Sequence, residues 1–162
     1  MKRTLVMELK ELQNGFAKPG RVVYIGVRPQ RREPVKVLDQ VVAIEARGLE
    51  GDRYKNSGIR QVTFIQAEHL KDVASFLGRS SVEPELTRRN IVVEGINLLA
   101  LKGKQFSIGE AVFQYSGECH PCSRMEENLG TGGYNAMRGH GGITAKVIQG
   151  GLIKTGDEVI AI

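Results

Sequence analysis

About eight short runs of β-forming residues, separated by turns that draw on 20 glycines, predict a mainly β domain. Runs spaced this closely form a curved, mainly antiparallel sheet, and closing it into a full or partly open barrel removes its exposed edges. The regular alternation of strand and helix that builds a doubly wound parallel sheet is missing. A length of 162 residues suits one such domain and is enough to bury one substantial core.

Leu5, Leu9, Leu12 and Phe16 recur near helical spacing, and Asn14-Gly15 with Pro19-Gly20 ends the run. Residues 1–19 are therefore expected to form a short amphipathic helical appendage, with the barrel domain over residues 20–162. Val22, Val23, Tyr24, Ile25 and Val27 form the first strand, closed by Pro29 and an Arg-rich turn through Arg32. Strands follow over residues 35–38 and 41–46. The string GLEGDRY, residues 48–54, breaks the pattern with two glycines and sets Asp52 and Arg53 on a turn. Residues 61–65 resume the strand pattern. Residues 67–77 then carry Leu70, Val73, Ala74 and Leu77 on one face, which predicts a helix ended by Gly78. Further strands are expected at residues 91–94, 104–108, 111–116, 143–149 and 158–162, with no internal repeat and no linker.

Lys and Arg number 23 against 18 Asp and Glu, a net +5 that suits anionic small molecules or a weak polyanion contact. The arginines between residues 28 and 32, 53 and 60, and 88 and 89 are dispersed, and the four tyrosines are scattered, so no nucleic-acid surface is expected. The N-terminal apolar run stops at Met7, short of a signal peptide, and nothing approaches the ~20 apolar residues of a membrane span. The expected location is the cytoplasm. Two cysteines, Cys119 and Cys122, rule out a secreted disulfide framework, and reduced thiols are expected.

The sharpest local feature is Glu118-Cys119-His120-Pro121-Cys122-Ser123-Arg124-Met125-Glu126. Proline is tolerated at the start of a helix and residues 123–129 are good helix formers, so Cys122 is expected in the first helical turn. There, unpaired N–H groups, the helix dipole and nearby Arg124 favour thiolate over thiol, which makes Cys122 a candidate nucleophile or soft-metal ligand. The bland alternative is a buried small hydrophobe. A structural zinc site would need a second ligand pair, and only His69, His120 and His140 remain to supply it.

The Gly-rich stretch from Gly130 to Gly142 either presents N–H groups to an anion or simply turns the chain, and it lacks the Lys-Ser or Lys-Thr ending of a nucleotide P-loop. Arg53, Arg60 and Arg89 stand at strand ends, where guanidinium forks suit phosphate or carboxylate. His140, flanked by glycines, is a candidate acid or base, with an exposed loop histidine as the alternative. His69 is expected on the helix surface.

Taken in order, GLEGDRY, RQVTFIQAEHL, RRNIVVEGINL, the Cys-His-Pro-Cys segment with Met125-Glu126, and GHGGITAKVIQGGLIKTGDEV resemble a stand-alone MOSC domain. That family is named for the C-terminal domain of molybdenum cofactor sulfurase, and the resemblance runs from about Gly20 to Ile162. It implies a barrel of the pyruvate-kinase-barrel-like type that binds molybdenum cofactor (molybdopterin) or passes sulfur to it. Cys122 matches the family's sulfur carrier or molybdenum thiolate ligand. Arg53, Arg60, Arg89 and Asn90 match positions in the family's motifs, and with Arg124 they are the candidates for holding the cofactor. The chain is too short to contain a pyridoxal-phosphate-dependent desulfurase domain, so any pyridoxal phosphate would come through a cysteine desulfurase partner. The segment around Cys122 looks more like the small bacterial reductase branch, which acts on N-hydroxylated compounds. That reading implies a separate electron-donor reductase. A thiol–disulfide redox protein using Cys119 and Cys122 is the competing interpretation, although it lacks the βαβ context.

Overall fold

The computed structural model describes residues 8–53 and 58–162. Helix α1 (Leu9–Gln13) precedes β1 (Gly20–Val27), β2 (Lys36–Leu38), β3 (Gln40–Ile44), β4 (Gly48–Leu49) and β5 (Val62–Gln66). Helices α2 (Ala67–Phe76) and α3 (Pro84–Thr87) lead to β6 (Ile91–Glu94), and a 3₁₀ turn (Leu98–Leu101) to β7 (Gln105–Ile108) and β8 (Ala111–Glu118). The chain then forms α4 (Ser123–Leu129), α5 (Gly133–Met137), β9 (Ile143–Gln149), β10 (Gly151–Lys154) and β11 (Glu158–Ala161).

Strands β11, β7, β8, β9, β5, β6 and β1 lie side by side, and pairing of β1 with β11 closes them into a barrel. The expected mainly β barrel is therefore present, closed rather than open. Every neighbouring pair in it is antiparallel except β5–β6. That pair is parallel because α2 and α3 form a crossover between its two strands, the connection that parallel neighbours require. Strand β2 extends the sheet from β1, while β10, β3 and β4 form a separate small sheet.

Side-chain alternation fills the barrel. Phe106 and Ile108 on β7, and Ala111 and Phe113 on β8, are buried at every second position. Phe64 of β5 meets Phe106 and Phe113 edge-on at centroid distances of 5.4 and 5.3 Å, a geometry that adds about 0.5–1.5 kcal/mol per pair beyond burial. Strand β5 is buried on both faces, since Val62 and Phe64 point into the barrel and Ile65 points under a helical layer. That layer packs Leu70, Val73 and Ala74 of α2 against Met125 and Leu129 of α4 and Ala136 and Met137 of α5, forming a second core outside the barrel. Among the described residues no helix is long and apolar enough to cross a membrane.

Several local expectations change. Of the opening helix, Leu5 lies outside the described residues, and Leu9 and Leu12 are exposed, so α1 contributes no buried face. Phe16, beyond that helix, packs on the barrel core instead. Strands β4 and β10 and helix α5 were not anticipated, because Gly48, Gly150-Gly151 and Gly132-Gly133 read as turn punctuation, and α3 was not because its four residues are too few to show a helical period. The Gly-rich stretch is a packing device. A Cβ on Gly141 would lie 2.0 Å from the carbonyl oxygen of Cys119, and one on Gly142 would lie 1.8 Å from that of Phe64.

Gly142 also has a φ of +90°. Gly142→Ala should therefore lose at least about 2 kcal/mol in urea unfolding. Gly139→Ala, at φ +76° with no atom within 4 Å, should lose only about 1 kcal/mol. Equal losses would show that the approach to Phe64 is not the constraint.

Candidate functional site

One end of the barrel is organised by a buried polar network. Arg28, at the end of β1, donates from Nε to Asp52 Oδ1 at 3.1 Å and from Nη2 to Asp52 Oδ2 at 3.0 Å, and its backbone N–H reaches the same carboxylate at 2.7 Å. The two side chains are 8% and 1% exposed, so this is an ion pair removed from water. Asn90 lies beside it, fully buried. Its Nδ2 donates to the Gly26 carbonyl and to Asp52, and its Oδ1 accepts from Arg28 Nη2 and from the N–H and hydroxyl of Thr63. Each amide atom of Asn90 is thus spent on the scaffold. It fixes β1, β5 and β6 relative to one another and has no capacity left for a ligand.

Arg89, the preceding residue, is almost as buried but is used differently. Its Nε donates to the Gly141 carbonyl at 2.7 Å, Nη1 to Thr87 at 3.0 Å, and Nη2 to Cys119 at 3.1 Å and His120 at 3.5 Å. All four acceptors are neutral carbonyls, and among the described residues no carboxylate pairs with it. Burial lowers its pKa from the ordinary guanidinium value, with Cys119 acting in the opposite direction. A guanidinium nevertheless stays protonated, so the site holds a positive charge without an ion-pair partner.

Arg28, Arg60 and Arg89 face a cleft of about 420 Å³ that Thr63, Cys119, His120 and Cys122 also line. Cys119 is buried, its N–H donating to the Gly142 carbonyl at 2.8 Å, whereas Cys122 is exposed, and both thiols are free. Cys122 occupies the N-cap position, with an extended backbone at φ −128°, rather than the first helical turn. It lies one residue ahead of a helix of seven residues and makes no side-chain cap bond. The route from β8 to this cysteine passes a β-bulge between Tyr115 and Gly117, the kind of irregularity that re-aims a strand end.

The remaining candidates do not line this cleft. Arg53 is exposed, and its backbone N–H donates to the Arg28 carbonyl at 2.9 Å. Arg124 contacts Glu127 at 3.6 Å along α4. His140 packs instead against α2, its ring 4.7 Å from that of His69 and 5.4 Å from that of Phe76. His69 is consequently half-buried rather than a surface residue, and burial pushes its pKa down. Sequence reasoning assigned no role to Arg28, Asp52 or Thr63. GLEGDRY did mark the Asp52 turn, but nothing in sequence shows a partner 24 positions away.

The fold is thus a sheet closed into a small mixed barrel, with a basic, thiol-bearing cleft at one end. The MOSC domain model matches residues 51–160, more than half of the chain, and the chain belongs to the MOSC domain family. Among solved structures it is similar to the YuaD protein from Bacillus subtilis, at 20% identity and a TM-score of 0.77 over 88% of this chain and 94% of that one. YiiM from Geobacillus stearothermophilus matches at 19% identity and a TM-score of 0.72, over 89% of this chain and 75% of that one. YiiM from Escherichia coli matches at 21% and 0.67, over 88% and 69%. At these identities the likeness is one of fold. A search of the curated proteins finds no match.

Asp52→Asn would turn an amide NH₂ or a neutral oxygen toward Arg28 and leave its charge buried, so it should cost about 3 kcal/mol or more in urea unfolding. Glu126 gives a pH test. The backbone amides of Tyr134 and Gly132 hold its carboxyl below the usual carboxylate range. The stabilisation is therefore present above the unfolded-state value, about 4.3, and is lost as pH falls through the lower folded value. Glu126→Gln should lower Tm at neutral pH, and the gap to the parent should close as the medium is acidified below that range.

Proposed function

We propose that this cleft holds the molybdenum cofactor, with Cys122 presenting its sulfur to the metal and guanidinium groups facing the phosphate. The observation that carries this reading is an exposed thiol sharing one cleft with Arg89, a buried cation that has no carboxylate beside it among the described residues. A dianionic phosphate near Arg89 would gain charge-assisted interactions in a setting screened from water. Arg28 is already matched by Asp52, and Arg60 extends the positive field to the exposed rim. Thiolate is a soft ligand suited to a soft metal, and guanidinium forks suit phosphate, so the donor set fits the group.

When bound, the cofactor supplies two-electron redox chemistry. The chain's own residues do the rest: Arg60 and Arg89 attract and orient the anion, while the Arg28–Asp52–Asn90 network keeps the wall rigid. Cys122 either ligates the metal, in a reductase of N-hydroxylated compounds, or carries a sulfane sulfur as a persulfide. The first use needs a separate electron-donor reductase. The second needs a cysteine desulfurase, in which any pyridoxal phosphate would reside. The thiol–disulfide alternative has less support, because β8 runs antiparallel to both its neighbours and the βαβ setting of such a pair is missing.

Protein produced in a host that makes molybdopterin should carry molybdenum in near-equal amount, and Cys122→Ala should lose it or the activity. Arg60→Glu should lower pterin occupancy at least about tenfold, the loss of one strong ionic contact. Reduction of a hydroxylamino base with an artificial electron donor identifies the reductase. Persulfide on Cys122 after incubation with a desulfurase and cysteine, read by mass spectrometry, identifies the carrier. Protein with neither molybdenum nor persulfide would refute the reading.

A further inference from the structure

Away from the cleft, two histidines and a carboxylate converge on the outer face of α2. His69 and Asp72 are three residues apart on that helix, which puts them on the same side. His140 arrives from the segment between α5 and β9. Its Nε2 is 3.6 Å from Asp72 Oδ2, and one nitrogen or oxygen from each of the three residues lies within 4.8 Å of the others.

The orientation of His140 is a second, independent observation. Its Nδ1 lies 2.9 Å from the carbonyl oxygen of Arg138, and since a carbonyl only accepts, that nitrogen carries the proton. In the neutral ring Nε2 is then the lone-pair nitrogen, and it is the one facing Asp72. A backbone carbonyl that fixes the tautomer and aims the other nitrogen is the usual support of a metal-bound histidine. The T-shaped contact with Phe76 limits rotation of the ring further.

We infer that His69, Asp72 and His140 bind a divalent transition-metal ion of the Zn²⁺ class, separate from any metal held at Cys122. Imidazole and carboxylate ligands at about 2.0–2.2 Å from zinc would sit about 3.3 Å apart, so small side-chain rotations close the site. Two imidazoles with one carboxylate favour Zn²⁺, Co²⁺, Ni²⁺ or Cu²⁺ over Mg²⁺ or Ca²⁺. Three protein ligands leave a position for water. The ion would clasp α2 to the segment running through Gly141, whose carbonyl Arg89 holds on the cleft side. Metal occupancy therefore stiffens a wall of the cysteine cleft without entering it.

Co²⁺ titration of the full chain, followed by its visible ligand-field bands, tests the assignment. One Co²⁺ per chain should bind with nitrogen and oxygen coordination and no thiolate charge-transfer band, and Cys122→Ser should bind equally well. His140→Ala and Asp72→Asn should each weaken binding at least about tenfold while leaving the circular dichroism spectrum unchanged. Zn²⁺ should raise the Tm of the parent but not of either variant. A Kd weaker than about 1 mM would overturn the inference. So would binding that survives both variants, or binding that disappears with Cys122→Ser.

Discussion

Arg89 donates to carbonyls at three places: the last residue of α3, the segment from β8 to α4, and the glycines ahead of β9. The last two stretches are also joined by the Cys119 N–H, which donates to the Gly142 carbonyl at 2.8 Å. Burying a guanidinium without a carboxylate costs desolvation energy, and the four carbonyl acceptors offset it. The position of Cys122 follows, since it lies two residues beyond the His120 carbonyl that the same guanidinium touches. The fold thus supplies cleft shape and positive charge through one side chain.

The neighbouring pair, Arg28 and Asp52, solves a different problem. Their charges cancel, and together with Asn90 and Thr63 they satisfy backbone groups of β1 and β5 that would be stranded where the sheet splays at the cleft. Charge for a ligand and rigidity for a wall are therefore divided between two arginines within a few ångströms of the same opening.

Strands with clear alternation were readable in sequence, because one buried face imposes a period of two that composition does not disguise. Strand β10 was not, since it begins on a glycine and pairs with β3 in a sheet outside the barrel. The parallel β5–β6 pair was not anticipated, because pairing partners depend on tertiary contacts that a local pattern does not encode. The site divides in the same way. Cys122 was visible from its flanking residues and Arg89 from its motif. The use of Asn90 as a strut and the burial of Arg28 were not, because arginine on a turn normally reads as solvated surface. His140 was singled out by its glycine neighbours, yet its partners sit on a helix some seventy positions earlier, beyond the reach of spacing arguments.

The seam between β1 and β11 joins the first and last strands of the barrel. Until β11 is in place, the Gly20–Arg21 end of β1 has an unpaired edge, and Val22 and Ile25 have no complete interior to enter. Closure must await every strand of the barrel, which makes folding a late, largely non-local event with high contact order. Edge-to-edge association before that closure is the hazard this topology carries, and it lies in the order of the strands rather than in any single residue.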